Sequence, residues 1–546
     1  MFAAVLALLG VALASRWRWV CDDAFISFRY AKNLVDGHGL VFNFGPGADV
    51  VEGYTNALWT VWIALGLAVG VTPELWSIVS GLAAYGALIF ILARGAASPW
   101  LPLAAGLVAV SRPLQIWATG GLETAADLAL LVWGWHLVTS NRDDDATRAL
   151  PKRRAAVAGG VMALAVMTRP DSLLIAAITG LTVLLGAGKA GFKGRVPASA
   201  AFGGAFLALW LPFTAWRVVT YGDFFPNTYY AKSAQLWWLD QGLVYLGLFV
   251  RELPLFAVAP VLGGAALLMG RVAPERRARL ASALAIALAF TLYVVKVGGG
   301  FMHTRLLLPA LPFAWVVLEE AVVALRPQRA TTAGAQTRRD RLVAGLALAL
   351  CLIVALVPPA LGPQESVRGV VDERAHYDPV RTARLERDAA VLRGFLAGLP
   401  VRAAYIGGQA RLVYRTGVPI AVEAETGLTD GVIAHQPLTH RGRVGHEKHA
   451  PRSYLVETRR LHLVFGAFAF RYLGLEGYVP KVGVRLGHTT VFLVTWDAPL
   501  MAELQRRGAK VPPFEREAAS LLADSTRIPA AQRAQTLASL RRFWVR

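Results

Sequence analysis

FAAVLALLGVALAS (residues 2–15), RWRWV (16–20) and CDDAFISFRYAKNLVDGHG (21–39) together decide how the rest of the chain is read. An apolar run ends in a belt of arginine and tryptophan, and two adjacent acids, Asp22 and Asp23, follow at once. That is the pattern of a membrane span reaching the interface. Carboxylates beside a bilayer are costly unless they are solvated, paired or used. Position alone leaves both readings of the pair open, solvated loop acids or a functional site. The opening run has no basic flank, and no small-residue cleavage site precedes Asp22, so it reads as an uncleaved first span.

Composition extends the membrane reading to most of the chain. Of 546 residues, 55% are hydrophobic and 17% charged, against about 25% charged in soluble proteins. Mean hydropathy is +0.47. Apolar runs of spanning length recur to about residue 358 and then stop. The expectation is a polytopic α-helical membrane domain over 1–359 and a soluble α/β domain over 360–546. The net charge of +20 lies largely in short loops, where it orients spans and attracts anionic membrane lipids. The basic residues are not interleaved with aromatics, which argues against a nucleic-acid partner. Cys21 and Cys351 are the two cysteines, the second inside an apolar run, so no CxxC site exists and a bridge between them is not expected.

Loop charge predicts orientation. The Arg/Lys-rich connections 142–154, 189–195, 271–279 and 326–341 belong in the cytoplasm. The alternate connections 112–124, 169–172, 220–235 and 298–305 then face outward, and they hold the glycines, prolines, aromatics and isolated polar residues. Parity fails if 56–72 and 75–93 both cross, so 56–72 is expected to be re-entrant or interfacial. About eleven spans remain, near 2–19, 75–93, 99–111, 121–139, 155–168, 172–187, 197–219, 254–270, 280–296, 305–325 and 342–358. Parity also puts the C-terminal domain on the outer side. There, 383–398 reads as an amphipathic helix, 401–406, 418–423 and 490–496 as strands, and 513–543 as helical.

Further motifs make the chain recognisable. DDAFISFRYAKNLVDGHGLVFNFG (22–45), VEGYTN (51–56), TGGLET (119–124), FPNTYYAK (225–232), GGGFMHTRLLLP (298–309), GLTDGVIA (427–434) and RGRVGHEKHAP (441–451) occur in order. Singly they are weak. As an ordered set the chain resembles the GT-C glycosyltransferases, and within them the mycobacterial-type terminal arabinofuranosyltransferases. The resemblance implies a multi-pass enzyme of the inner or plasma membrane. Its donor would be a polyprenyl-phosphate sugar, possibly arabinofuranose-bearing, and its acceptor a cell-envelope glycan or glycolipid. The active site would face the periplasm or outer side. One position departs: Gly300 stands where relatives often carry an acid.

The residues suit that chemistry. A phosphate leaving group departs as a stabilised anion, so the reaction needs a base near the acceptor hydroxyl rather than a strong acid. Adjacent helical residues diverge by about 100°, so one of Asp22 and Asp23 is expected as base and the other as orienter, with Asp22 preferred as base. Donor-phosphate candidates are Arg169, Lys232, His303 and Arg305, with Tyr229 and Tyr230 beside them. Interfacial anchoring competes for each cation, and capping competes for His303. Gly298 to Gly300 either admit backbone to a ligand or end a helix. Glu52 and Glu123 either bind acceptor hydroxyls or cap the following span. Arg169 and Asp171 read as an ion pair fixing a turn. Arg443, His446, Glu447 and Lys448, with Arg441 nearby, form either an acceptor-binding loop or a solvated one. His446, Glu447 and His449 lack the HExxH register, so no metal is assigned, and the divalent-cation requirement stays open.

A glycosyltransferase is the favoured reading. A flippase or transporter of a polyprenyl-linked glycan would call for mid-span acids and repeat symmetry, whereas the polar residues here gather at one face. A non-catalytic glycan-binding assembly subunit is the third alternative.

Overall fold

The computed structural model describes residues 2–97, 102–140, 150–186, 192–325, 333–405, 408–448, 450, 454–465, 483–487, 489–493 and 497–511. The expected helix over 513–543 lies outside them. The chain divides into two compact units that are not consecutive in sequence. The first comprises Met1–Cys21, Thr55–Val219 and Gln235–His376, the second Asp22–Tyr54, Thr220–Ala234 and Tyr377–Arg546. The contacts thus divide the chain after His376, and two early polar segments group with the C-terminal residues.

The first unit is helical. Among the described residues, four helices are long and apolar enough to cross a membrane: Pro73–Arg94, Phe192–Tyr221, Arg276–Lys296 and Arg305–Ala324. Leu239–Glu252 and Leu255–Leu268 meet at 91° and give a fifth if they count as one broken span. Other apolar segments are shorter. Ala57–Ala68 has 12 residues, about 18 Å at the helical rise, against a bilayer core of about 30 Å. Leu103–Val110 has 8.

Packing separates the centre of this unit from its rim. Every residue from Leu311 to Ala321 is buried, whereas the 30-residue helix Phe192–Tyr221 buries only Ala198, Phe202, Thr214 and Arg217. The first is a core element and the second presents its leucines and tryptophans outward. Helices in lipid gain little from apolar burial and associate through close approach of small residues. At Gly81 an added Cβ would lie 2.1 Å from the Ala118 carbonyl oxygen, and at Gly159 2.0 Å from that of Phe202. Polar groups sit at both ends of the 20-residue run Arg305–Ala324, which is about 30 Å long if wholly α-helical. At its far end Glu319 accepts from the amides of Ala97 and Ala104 at 2.6 and 3.0 Å. Glu320 there pairs with Arg276 and Arg279 at 2.8 and 3.0 Å. At its near end stand His303 and Arg305.

The second unit is built on a five-stranded sheet. With β1 (Ser366–Val367) and β2 (Val370–Val371) forming a small hairpin in the first unit, the sheet strands are β3 (Arg402–Tyr405), β4 (Ile420–Glu423), β5 (Leu463–Val464), β6 (Gly483–Leu486) and β7 (Thr489–Leu493). Their order is β4-β3-β5-β7-β6. β3 runs parallel to β4 and β5, and the β5–β7 and β6–β7 pairs are antiparallel. Three of these strands and the helix Pro379–Leu396 fall where the sequence alternation put them. Asp378 caps that helix, accepting from Val380 N at 2.8 Å and Arg381 N at 2.9 Å.

Helix Ala24–Val35 is tied into this unit by Arg29, which is 3% exposed. Its guanidinium donates to the carbonyls of Phe42, Val413, Val418 and Pro419 at 2.6–3.3 Å. A buried cation is thereby satisfied by backbone oxygens instead of an acid. Asn43 Oδ1 accepts from Ala421 N on β4 at 2.8 Å. Segment 220–234 is held similarly, by Asn227 Nδ2 donating to the carbonyls of Gly427 and Leu428 at 2.8 and 3.0 Å.

Candidate active site

The aspartate pair forms the turn into helix Ala24–Val35, with the carbonyls of Asp22 and Asp23 accepting from Phe25 N and Ile26 N. Their side chains have different environments. Asp22 is 2% exposed, and its two oxygens accept from Ala410 N at 2.7 Å and Arg411 N at 3.0 Å. These amides belong to the first turn of helix Ala410–Thr416, where a carboxylate is a favourable acceptor. Burial pushes the Asp22 carboxyl up to about 6, against the pull of the two amides. Asp23 is half-buried, and its carboxylate makes no capping bond to its own helix.

In the first unit, sequence candidates far apart in the chain come together. Glu123, 3% exposed, accepts on Oε1 from Arg305 Nη2 at 2.8 Å and from Arg169 Nη1 at 3.2 Å. Its Oε2 accepts from Asn56 Nδ2 at 2.8 Å. Arg169 also forms a two-pronged pair with Asp171, at 3.0 and 2.5 Å, and lies 3.8 Å from Asp127 Oδ2. The turn-fixing ion pair read from Arg169-Pro170-Asp171 is present, and it continues into a buried cluster. Arg169 is enclosed by three acids. Arg305 has one acidic partner among the described residues, lies 5.3 Å over the Trp117 ring, and has a buried Nε without a hydrogen bond.

His303 belongs to a neighbouring group in the same unit. Its Nδ1 is 3.5 Å from Glu252 Oε2, while Glu252 Oε1 accepts from Arg112 at 2.6 Å. Burial lowers the imidazole below its ordinary range, with Glu252 and Asp372 opposing. The next residue, Thr304, has φ of 66°, a conformation that costs a β-branched residue about 1–3 kcal/mol. A small open cleft lies here, its polar wall made by Arg112, Glu252, His303, Asp372, Glu373 and Arg374. Of these, the sequence reading had singled out His303 alone. The others sit at the ends of helices Arg112–Ala118 and Leu239–Glu252 and in or beside the short 3-10 helix Glu373–His376, where local pattern carries no chemical signal.

The remaining candidates lie in the second unit. Glu52 is buried, and its carbonyl accepts from Asn227 N at 3.0 Å. Tyr229 stacks on Phe225 with centroids 4.4 Å apart, and Tyr230 on His435 at 4.1 Å. Lys232 is exposed, its stem passing Gly445. Loop 441–448 is braced: within it Glu447 accepts from Arg441 and from Gly442 N, and Lys448 Nζ ties it to the carbonyls of Tyr230 and Ala434. Glu447 and Lys448 are therefore held in the frame of the loop, both about 5% exposed. Burial pushes His446 down to about 3, and Arg443 is exposed.

Sequence comparison places the chain beside two curated proteins, each named terminal beta-(1->2)-arabinofuranosyltransferase. The one from Mycobacterium tuberculosis is 25% identical over 569 aligned residues, covering 87% of this chain and 88% of that protein. The one from Corynebacterium glutamicum is 30% identical over 344, covering 56% and 48%. No family model matches. Among solved structures, ArnT from Cupriavidus metallidurans bound to undecaprenyl phosphate aligns with a TM-score of 0.55 at 14% identity, over 91% of this chain and 98% of that one. The oligosaccharyltransferase AglB of Archaeoglobus fulgidus, in complex with an inhibitory peptide and a dolichol-phosphate, aligns at 0.51 and 12%, over 88% and 72%. The fold is that of the GT-C membrane glycosyltransferases. The chain is a multi-pass membrane glycosyltransferase.

Proposed function

We propose that this enzyme moves an arabinofuranosyl residue from a polyprenyl-phosphate carrier to a hydroxyl of a cell-envelope glycan or glycolipid, with a carboxylate of the Asp22–Asp23 pair as base. The observation that carries the reading is the asymmetry of that pair. Both Asp22 oxygens are engaged by backbone amides, whereas Asp23 is half-buried and does not cap its helix. That favours Asp23 as the base and Asp22 as the residue that positions it, the reverse of the preference drawn from sequence. The acceptor O–H gives its proton to Asp23 as its oxygen bonds to the anomeric carbon. The bond from that carbon to the phosphate oxygen breaks, and its electron pair leaves on polyprenyl phosphate.

Arg305 supports the leaving phosphate, since its Nε has no partner among the described residues and it has a single acidic partner. Arg169, surrounded by acids, serves by holding Glu123. Tyr229, Tyr230 and Lys232, in the second unit, are assigned to the donor phosphate by residue type and motif alone. The donor sugar is tested with purified enzyme and a panel of polyprenyl-phosphate sugars, reading released polyprenyl phosphate. Turnover of the arabinofuranosyl donor and not of hexosyl donors is expected; preference for a hexosyl donor would refute the sugar assignment.

The acceptor reading rests on Arg443, exposed on a loop whose other charges brace it. Arg443→Ala should raise the acceptor KM several-fold, with donor KM and kcat nearly unchanged. An equal rise for donor and acceptor would move the loop to the phosphate.

Orientation is part of the same proposal: the second unit and the site face the periplasmic or outer side, with about eleven spans in all. In a variant lacking Cys21 and Cys351, a cysteine at Val432, 56% exposed, should react with an impermeant maleimide added outside. A cysteine at Arg271 should react only after permeabilisation. The opposite pattern would invert the topology.

A further inference from the structure

We propose that Tyr245 is a positioning residue for Arg305, fixing the turn 302–306 so that the guanidinium meets the leaving phosphate. The proposal rests on the assignment of Arg305 to that phosphate and adds the residue through which its backbone is held.

The Tyr245 hydroxyl bridges the turn. The side chain is wholly buried. Its O–H donates to the Met302 carbonyl at 2.8 Å, and its oxygen accepts from Leu306 N at 3.0 Å. One group therefore bonds the main chain on both sides of residues 303–305. A phenol can donate and accept at once. Phenylalanine would keep the ring and lose both bonds.

The glycine run seats the ring. Gly299 has φ of 71°, and a Cβ there would lie 2.4 Å from Tyr245 Cγ and 2.5 Å from Tyr245 Cβ. At Gly242, three residues before the tyrosine, a Cβ would lie 2.0 Å from the Val295 carbonyl oxygen. Helix Leu239–Glu252 thus lies backbone to backbone on the end of helix Pro274–Lys296. Only glycine permits approaches this close. Gly298 N and Gly299 N also donate to the carbonyls of Val295 and Val294, so the run ends the helix and admits the Tyr245 ring together.

The turn held in this way is strained. Thr304 has φ of 66°, which is unfavourable for a β-branched residue and persists only where the surroundings impose it. Val371 holds the chain before it, accepting from His303 N at 3.0 Å and donating its own amide to the Phe301 carbonyl at 2.9 Å. After it, Arg305 Nη2 meets Glu123 Oε1 at 2.8 Å, and the guanidinium lies 5.3 Å over the Trp117 ring. Those contacts locate the tip of Arg305, and Tyr245 locates the backbone that carries it. A reacting group keeps its geometry only when supporting contacts lock it.

A double-mutant cycle on the full-length enzyme in detergent tests the proposal, with a polyprenyl-phosphate sugar as donor. Tyr245→Phe should lower donor kcat/KM about 10–100-fold and leave the acceptor KM unchanged. In an Arg305→Met chain, the same substitution should change the residual donor kcat/KM by less than about twofold, because the group it positions is gone. Gly299→Ala pushes the ring from its seat with the hydroxyl retained, and it should show the same dependence on Arg305. It supplies the cycle if Tyr245→Phe does not fold. Tyr85→Phe controls for loss of a buried hydroxyl alone: Tyr85 is wholly buried and donates to the Val108 carbonyl at 2.6 Å. That variant should lower the melting temperature and leave kcat/KM unchanged. Wild-type transfer by Tyr245→Phe, or effects of Tyr245→Phe and Arg305→Met that simply multiply, would overturn the proposal. Near-normal transfer by Arg305→Met alone would instead sink the phosphate assignment, so the two failures are separable.

Discussion

Asp23→Asn should lower sugar transfer by about 10²–10⁴-fold with little change in melting temperature, because the half-buried side chain does not cap its own helix. Asp22→Asn should behave differently. An amide there keeps one acceptor oxygen but turns an NH₂ group toward Ala410 N or Arg411 N, which now meet the two carboxylate oxygens at 2.7 and 3.0 Å. Leaving one buried amide unsatisfied costs about 1–3 kcal/mol, so this variant should lose stability as well as rate. The pH dependence separates the two further. Burial raises the folded-state pKa of Asp22 from 3.8 to about 6. The folded protein therefore holds that proton more tightly than the unfolded chain. The resulting stabilisation is complete below the unfolded pKa and is lost as pH rises through about 6. Its size is on the order of 3 kcal/mol. The stability gap between wild type and Asp22→Asn should thus shrink from pH 4 to pH 7. Equal, near-normal turnover in both single variants would remove the carboxylate mechanism.

Glu123→Gln should strongly destabilise the first unit. Glu123 is the acidic partner of Arg305 and one of the three acids around Arg169, and it is 3% exposed. Removing one member of a buried ion pair typically costs about 3–5 kcal/mol, because the other charge stays desolvated. A fall in melting temperature and in detergent-extracted yield is therefore expected. Adding Arg305→Met to the same chain removes the stranded charge and should restore part of the stability, since apolar replacement of a buried pair is often neutral. Activity should stay lost in the double variant, because the phosphate partner is gone. A Glu123→Gln protein that melts with the wild type would show that the cluster carries no structural weight. Full activity in the double variant would remove Arg305 from the mechanism.

Legibility from sequence followed the range of the interactions. Hydropathy is a local property, so the helical body and the end of the apolar pattern near residue 358 were readable, as were β3, β4 and β7 from their alternation. The ion pair within one short motif, Arg169–Asp171, was also readable. Partnerships across the chain were not. No spacing rule connects Asp22 to Ala410, or Arg305 to Glu123. Grouping of 22–54 and 220–234 with the C-terminal residues likewise escapes a hydropathy scan, which sees polarity and not neighbours. The loop 441–448 stands out in the sequence for five polar residues; the partners of Glu447 and Lys448, Gly442 N and the Tyr230 carbonyl, do not.

The central claim is that a sugar leaves polyprenyl phosphate and reaches a glycan hydroxyl at the aspartate pair. It is tested most directly in proteoliposomes loaded with a donor labelled in the sugar, supplied with acceptor glycan, and made with wild-type or Asp23→Asn protein. With wild type, label should pass from the lipid to the glycan, and polyprenyl phosphate should appear in equal amount. With Asp23→Asn, both products should fall together. Label that stays on the lipid while the intact lipid-linked sugar crosses the bilayer would contradict the account and make the chain a transporter.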